Sequence, residues 1–347
     1  MRSAGAATAD ERVGRVGPAR RLLIRPELGA VVGAVLVFAF FAVQSPVFRS
    51  ADGVANWLDP AATLGIMAVA VALLMIGGEF DLSAGVLTGT TGLILVTLAT
   101  RFGFNVWLAM LVGLVVALAV GFANGLVVTR TKLPSFIVTL GTFLMLQGIN
   151  LGVTKAITGT VQVSGLRRAE GFEGANAVLA GTFQVGGTSF RVAILWWIVV
   201  AAVATWVLTR SKAGNWIFAV GGNEPAARAV GVPAARTKIA LFMTTAFAAW
   251  LVGSMLALRY TSVQANIGIG QEFIYIIAAV IGGCLLTGGY GSAIGAAVGA
   301  VIFGMVEKGI VYLGWDADWF KFFMGAMLVL ATLANHLVRR YAEEVGR

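Results

Sequence analysis

Ten apolar runs, each close to the length of a membrane-spanning helix, govern what this chain can fold into. They fall near residues 28–44, 61–77, 84–100, 106–129, 134–154, 191–209, 237–259, 272–287, 292–311 and 320–338. A helix needs about 20 residues to cross the hydrocarbon core, so ten spans use roughly 200 residues and leave the rest for loops and tails. Soluble domains are about 45–50% apolar and about 25% charged. This chain is 59% hydrophobic and 12% charged, with a mean hydropathy of +0.89, which excludes an ordinary soluble domain. Strands of a membrane barrel would alternate polarity over about ten residues, and no such pattern is present. The expected fold class is therefore all-α, a polytopic membrane helix bundle of about ten transmembrane helices. Gly and Thr interrupt the third and eighth runs, which marks both as candidates for broken or re-entrant segments lining a cavity.

Sixteen of the 25 basic residues lie in the tails, at 130–133 and at 210–238. By the positive-inside rule these parts face the cytoplasm, together with both termini, and the loops at 45–60, 155–190 and 260–271 face outward. The net charge of +9 has the same origin, so it reads as topology and contact with membrane lipid, with no nucleic-acid partner. The expected organisation is a cytoplasmic tail at 1–27 and a transmembrane body at 28–338, then a cytoplasmic tail at 339–347. The body divides into halves at 28–154 and 191–338, joined by an outward linker at 155–190. The first run carries no evident cleavage pattern and is expected to stay as the first span. One cysteine, Cys284, excludes an internal disulfide and a cysteine-based metal site. His336 is read as an interfacial residue, and no metal site is expected.

Between two spans, the loop at 210–236 holds a segment built as a short docking helix. Asn223 is placed to cap its first free N–H groups, Glu224 suits the positive end of the helix dipole, and Pro225 falls in the first turn, where a missing N–H costs little. Gly231 then ends the helix in a left-handed conformation and Pro233 blocks continuation. Such a loop implies a partner on that side of the membrane.

Two other segments carry polar groups that a membrane interior does not hold without reason. Gly77, Gly78, Glu79, Asp81 and Ser83 form a glycine-paired, acidic turn between the second and third runs, read either as a solvated cytoplasmic turn or as a gating element. In the fifth run Ser135, Thr139, Thr142, Gln147 and Asn150 recur at roughly helical spacing. They read as one polar stripe along a path for a neutral polyhydroxylated solute or, residue by residue, as bonds between helices. Gly291, Gly295 and Gly299, like Gly121 and Gly125, read as close helix approach. A short echo links Ile76-Gly77-Gly78 to Ile281-Gly282-Gly283. No G-x-x-x-x-G-K-[ST] loop is present, so ATP hydrolysis is not expected of this chain.

Four stretches together, Gly77–Gly85 (GGEFDLSAG), Pro134–Gly148 (PSFIVTLGTFLMLQG), Gly221–Val232 (GGNEPAARAVGV) and Ile281–Gly291 (IGGCLLTGGYG), resemble the successive signatures of permease subunits of bacterial ABC transporters for simple sugars, of the ribose, xylose, galactose and arabinose type. The resemblance covers about residues 30–338. It implies a multi-pass protein of the bacterial inner membrane and a dimer with a second permease copy or close paralogue. A cytoplasmic ABC ATPase and a periplasmic sugar-binding protein are the further implied partners. It implies no cofactor of the chain's own, ATP and Mg being bound by the partner ATPase, and no enzymatic activity. Asn223, Glu224, Ala226, Ala227, Arg228 and Gly231 are the implied ATPase-coupling residues, with Glu224 and Arg228 making polar contacts and Ala226 and Ala227 letting the surfaces approach. Where relatives often read GGIDLS, this chain has Glu79-Phe80 before Asp81, which widens the expected solute from a monosaccharide to a related polyol. The competing readings are an ion-coupled secondary transporter of a small polar solute and a permease for branched-chain amino acids.

Overall fold

A computed structural model of the chain describes residues 26–344, with side chains described from 27 to 333. The tail expected at 1–27 lies almost wholly outside the described residues, as do the side chains of His336 and of the tail expected at 339–347. Each of the ten apolar runs holds a helix. In chain order these are α1 (Pro26–Gln44), α2 (Ala51–Ile76), α3 (Ser83–Arg101), α4 (Val106–Thr131) and α5 (Ser135–Thr158), then α7 (Ala193–Arg210), α10 (Ala234–Tyr260), α11 (Gln271–Ile281), α12 (Ala293–Tyr312) and α13 (Trp319–Glu344). The intervening segments hold α6 (Phe172–Leu179), α8 (Lys212–Gly222) and α9 (Glu224–Ala229), together with the short strands β1 (Gln162–Ser164), β2 (Thr182–Val185), β3 (Thr188–Arg191) and β4 (Ser262–Gln264). Among the described residues, eight helices are long and apolar enough to cross a membrane, and α11 and the start of α13 are shorter apolar helices.

The two runs singled out as irregular behave differently. The eighth stops at Ile281, where the glycine pair Gly282-Gly283 turns the chain. The third is not broken: α3 is one continuous helix of 19 residues. Its threonines return their hydroxyls to their own helix, Thr88 to the Gly85 carbonyl at 2.6 Å, Thr90 to Val86 at 3.0 Å and Thr91 to Thr88 at 3.0 Å, a self-satisfying arrangement open to threonine in a helix.

Helix α2 is the axis of the bundle. From Ala61 to Ile76 every residue but Thr63 is buried, as expected of a helix that is apolar on all sides. It packs against α7, α10, α11 and α12, while α10 also lies along α3 and α4. Small residues set these approaches: a Cβ on Gly121 would stand 2.8 Å from the Phe242 carbonyl, and one on Gly125 would stand 2.8 Å from the Ile239 Cα. Gly295 and Gly299 of α12 leave the same kind of room for the backbone at the end of α11. Such contacts between backbones supply the dispersion energy that lipid cannot.

The segment at 155–190 is ordered. β1 pairs antiparallel with β4, Gln162 opposite Gln264, and β2 and β3 form a hairpin with Thr182 opposite Arg191. At the same end of α10, Arg259 grips Asp59 of α2 with two bonds of 2.8 and 2.7 Å. The echo noted in the sequence is a real structural repeat. Helix α2 ends with Gly78 N–H donating to Met75 and Glu79 N–H to Leu74, and α11 ends with Gly283 N–H donating to Val280 and Cys284 N–H to Ala279, all at 2.9–3.2 Å. Gly78 at φ 84° and Gly283 at φ 91° take the left-handed step that this C-terminal motif requires.

Candidate functional site

Helix α9 forms as its local chemistry dictates. Asn223 is extended and its Oδ1 accepts the Ala226 N–H at 3.0 Å, while Pro225 occupies the first turn. At the far end Gly231 adopts φ 85°, and the N–H groups of Gly231 and Val232 return to the carbonyls of Arg228 and Ala227 at 3.0 Å each. Pro233 then heads α10. One face of this six-residue helix is anchored: Ala227 is buried with Val220 and Ala234. Ala227 therefore holds α9 to the rest of the chain, and the expectation that it lets a partner surface approach is corrected. The face open to a partner is made by Asn223, Pro225, Ala226, Arg228, Ala229 and Val230, the last of them 80% exposed.

Glu224 looks the other way. It is bridged by Arg228, one turn along α9, and by Lys238 Nζ of α10 at 2.5 Å. Partial burial by itself would raise its pKa, but the bonds and charges of Lys238 and then Arg228 outweigh burial and hold the carboxyl below its ordinary value. The same Lys238 Nζ reaches Glu79 Oε1, also at 2.5 Å. The α2–α3 turn and the docking helix, 145 residues apart in sequence from Glu79 to Glu224, are thus two sides of one ionic cluster.

Below that cluster three chain segments meet backbone to backbone. The Gly289 N–H donates to the Ile76 carbonyl at 2.8 Å. A Cβ on Gly221 would run into that same carbonyl, and one on Gly288 would stand 2.7 Å from the Gly78 Cα. The end of α8, the end of α2 and the turn after α11 share this junction.

The polar stripe of α5 clamps the acidic turn. Ser135 Oγ accepts the Phe80 N–H at 3.1 Å, and Thr139 Oγ1 accepts the Leu82 N–H at 3.0 Å. Thr142 donates to Asn124 Oδ1 at 2.6 Å, Asn124 donates to Ser83 Oγ at 3.0 Å, and Ser83 donates to Asp81 Oδ1 at 2.5 Å. Gln147 is half-buried farther along the helix and Asn150 is buried. Asp81 Oδ2 and Asn150 Nδ2 have no hydrogen-bond partner among the described residues. Gly77 caps α2 beneath the Leu241 side chain.

Two members of this network went unnoticed in the sequence. Lys238 enters the sequence reading only as one more inward charge, although a lysine at the edge of an apolar run was the signal available. Asn124 has no place in the expectations for the fourth run, although its amide is the only one in that run. Replacing Asn124 by Leu removes its bonds with Ser83 and Thr142, leaving Ser83 to Asp81 and Thr142 to the Val138 carbonyl, and is expected to destabilise the chain by about 1–3 kcal/mol. Thermal melting of the detergent-extracted variant reads this directly; a melting curve matching wild type would contradict the network.

A cleft of about 700 Å³ also opens between α2, α7, α8 and α10, walled by side chains such as Val69, Leu73, Val203, Trp216 and Leu251. Walls of this kind offer a polyhydroxylated solute too few hydrogen bonds to replace those it makes with water.

A multi-pass helix bundle, with the short capped helix α9 ionically tied to a glycine-rich acidic turn, fits a membrane permease. Residues 53–332 match the family described as "Branched-chain amino acid transport system / permease component", and the chain belongs to that family. It is 31% identical to the probable ABC transporter permease protein YphD of Escherichia coli strain K12, over 92% of each chain. It is 29% identical to the fructose import permease protein FrcC of Rhizobium meliloti, over 90% of this chain and 85% of that one. With the ribose import permease protein RbsC of Escherichia coli strain K12 it shares 28% identity over 89% of this chain and 94% of the relative. No solved structure gave a significant match.

Proposed function

We propose that this chain is the transmembrane subunit of a binding-protein-dependent ABC importer that moves a monosaccharide or related polyol across the bacterial inner membrane, driven by ATP hydrolysis in separate subunits. Relatives whose names state a solute are named for import of fructose, ribose or galactose, which favours a sugar over the amino acid in the family's description. The single observation that carries the mechanism is α9: a capped helix with an anchored inner face, an outer face left free, and an ionic tie to the acidic turn.

On this reading both termini and α9 face the cytoplasm, where an ABC ATPase that holds the ATP and Mg docks on α9. The loaded sugar-binding protein docks on the opposite end, over β1–β4 and α6. A second permease copy completes the path, against the broad exposed surface of α5. ATPase closure shifts α9, and the permease switches from outward to inward opening because the ATPase contacts α9 differently in its two states. The turn at Gly77, Gly78, Glu79, Asp81 and Ser83 is the gate, and Ser135, Thr139 and Thr142 hold it. Gln147 and Asn150, beyond the clamp, are the amides placed to meet solute.

Proteoliposomes carrying the chain with its ATPase, the sugar-binding protein and internal ATP are expected to accumulate sugar. Omission of the ATPase alone is expected to abolish uptake. Uptake by the chain alone, driven by an ion gradient, would replace this reading with a secondary transporter.

A further inference from the structure

Resting on the reading that α9 receives the ATPase, we infer that Lys238 is the positioning residue through which movement of α9 reaches the α2–α3 turn. Lys238 stands one turn inside α10, with its side chain 12% exposed, between Glu79 at 9% and Glu224 at 27%. Its ammonium group is 2.5 Å from an oxygen of each. The two carboxylates are unequal. Glu224 has a second cation in Arg228, whose side chain is 49% exposed on the open face of α9. For Glu79, Lys238 is the only ion-pair partner among the described residues.

This inequality gives the cluster a direction. A docked partner that engages Arg228 withdraws it from Glu224, and Glu224 then makes a stronger claim on Lys238. The bond to Glu79 weakens in proportion, and a carboxylate this enclosed does not stay charged and unpaired without a structural response. The response falls on the turn that carries Glu79, where Gly78 has a positive φ and meets Gly221 of α8 backbone to backbone.

The alternative route, bending of α10, is blocked at the other end. Arg259 is locked to Asp59 of α2 by two bonds, 21 residues from Lys238 and so about 32 Å along a helix. Helix α10 is a strut pinned at both ends to α2 and its following turn. Between α9 and α10 the four residues at 230–233 make a turn with Gly231 at φ 85° and Pro233 at the head of α10, and Ala227 clusters with Ala234, so the polar route from α9 into α10 runs through Glu224 and Lys238.

The test uses the assembled transporter in proteoliposomes and reads solute moved per ATP hydrolysed, with ATPase co-purification as a separate measurement. Lys238→Met is expected to retain the ATPase and its hydrolysis while solute per ATP falls about tenfold, within the usual range of coupling between sites. Lys238→Arg is expected to keep most of the coupling, because a guanidinium can still bond both carboxylates, whereas Glu79→Gln, which leaves the Lys238–Glu224 pair in place, is expected to lose it as Lys238→Met does. A purely structural lysine would instead lower the amount of assembled complex and leave solute per ATP unchanged; that result overturns the inference. Wild-type solute per ATP in Glu79→Gln overturns it too. A wild-type chain that retains no ATPase would remove the permease reading and this inference together, and is seen before any variant is made.

Discussion

Gly221→Leu is expected to abolish uptake and to lower the melting temperature of the detergent-extracted chain more than any other substitution considered above. A Cβ at this position would stand against the Ile76 carbonyl and 2.8 Å from the Gly289 nitrogen. Both of those atoms belong to backbone, and they are bonded to each other at 2.8 Å. Neither can swing aside as a side chain does, so the added carbons force the end of α8 away from the ends of α2 and α11. Overpacking a tight site costs about 1–3 kcal/mol and sometimes more. Here the lost Gly289 bond adds to it, and about 3 kcal/mol or more is expected. Gly222 is the internal control: nothing stands within 4 Å of where its Cβ would be, so Gly222→Ala is expected to melt and transport as wild type. Equal behaviour of the two variants would show that the three segments do not meet as described.

Val230→Asp is expected to stop uptake without harming the fold. Val230, just past the end of α9, is 80% exposed on its outer side and stands where the proposed partner docks. A carboxylate there has to be desolvated on docking with no cation assigned to it, and truncations or charges at the centre of a contact cost about 2 kcal/mol or more, roughly thirtyfold in affinity. The expected results are wild-type melting, loss of ATPase co-purification and loss of uptake. The variant is a cleaner probe than replacement of Glu224 and Arg228 together, since Glu224 also bonds Lys238 and its removal disturbs the ionic cluster from within. Retained ATPase binding and transport by Val230→Asp would move the docking surface elsewhere.

How much of this was legible in the residues differs from segment to segment. The caps of α9 were readable because they depend on neighbours in sequence: Asn223, Pro225 and Gly231 act on backbone groups within three or four positions of themselves. The existence of each helix was readable for the same reason, hydropathy over some 20 residues being a local property. The continuity of α3 was not, because glycine and threonine in a sequence do not reveal that the hydroxyls turn back to their own helix and the glycines admit residues 267–272. The α5 stripe was found, but what it faces was not. Ser135 and Thr139 receive N–H groups from Phe80 and Leu82, partners more than fifty positions away.

From the residues alone came an all-helical membrane protein, the positions of its spans and the shape of its docking helix, all set by forces acting over a few turns of chain. Tertiary structure decided that the docking helix and the acidic turn share Lys238, that Ala227 anchors where Ala226 and Val230 are free, and that three glycine-rich ends meet at Ile76. Those facts depend on which distant surfaces pack together. In a bundle where nearly every span is uniformly apolar, hydropathy cannot tell one neighbour from another, and the choice is left to shape and to a few buried charges.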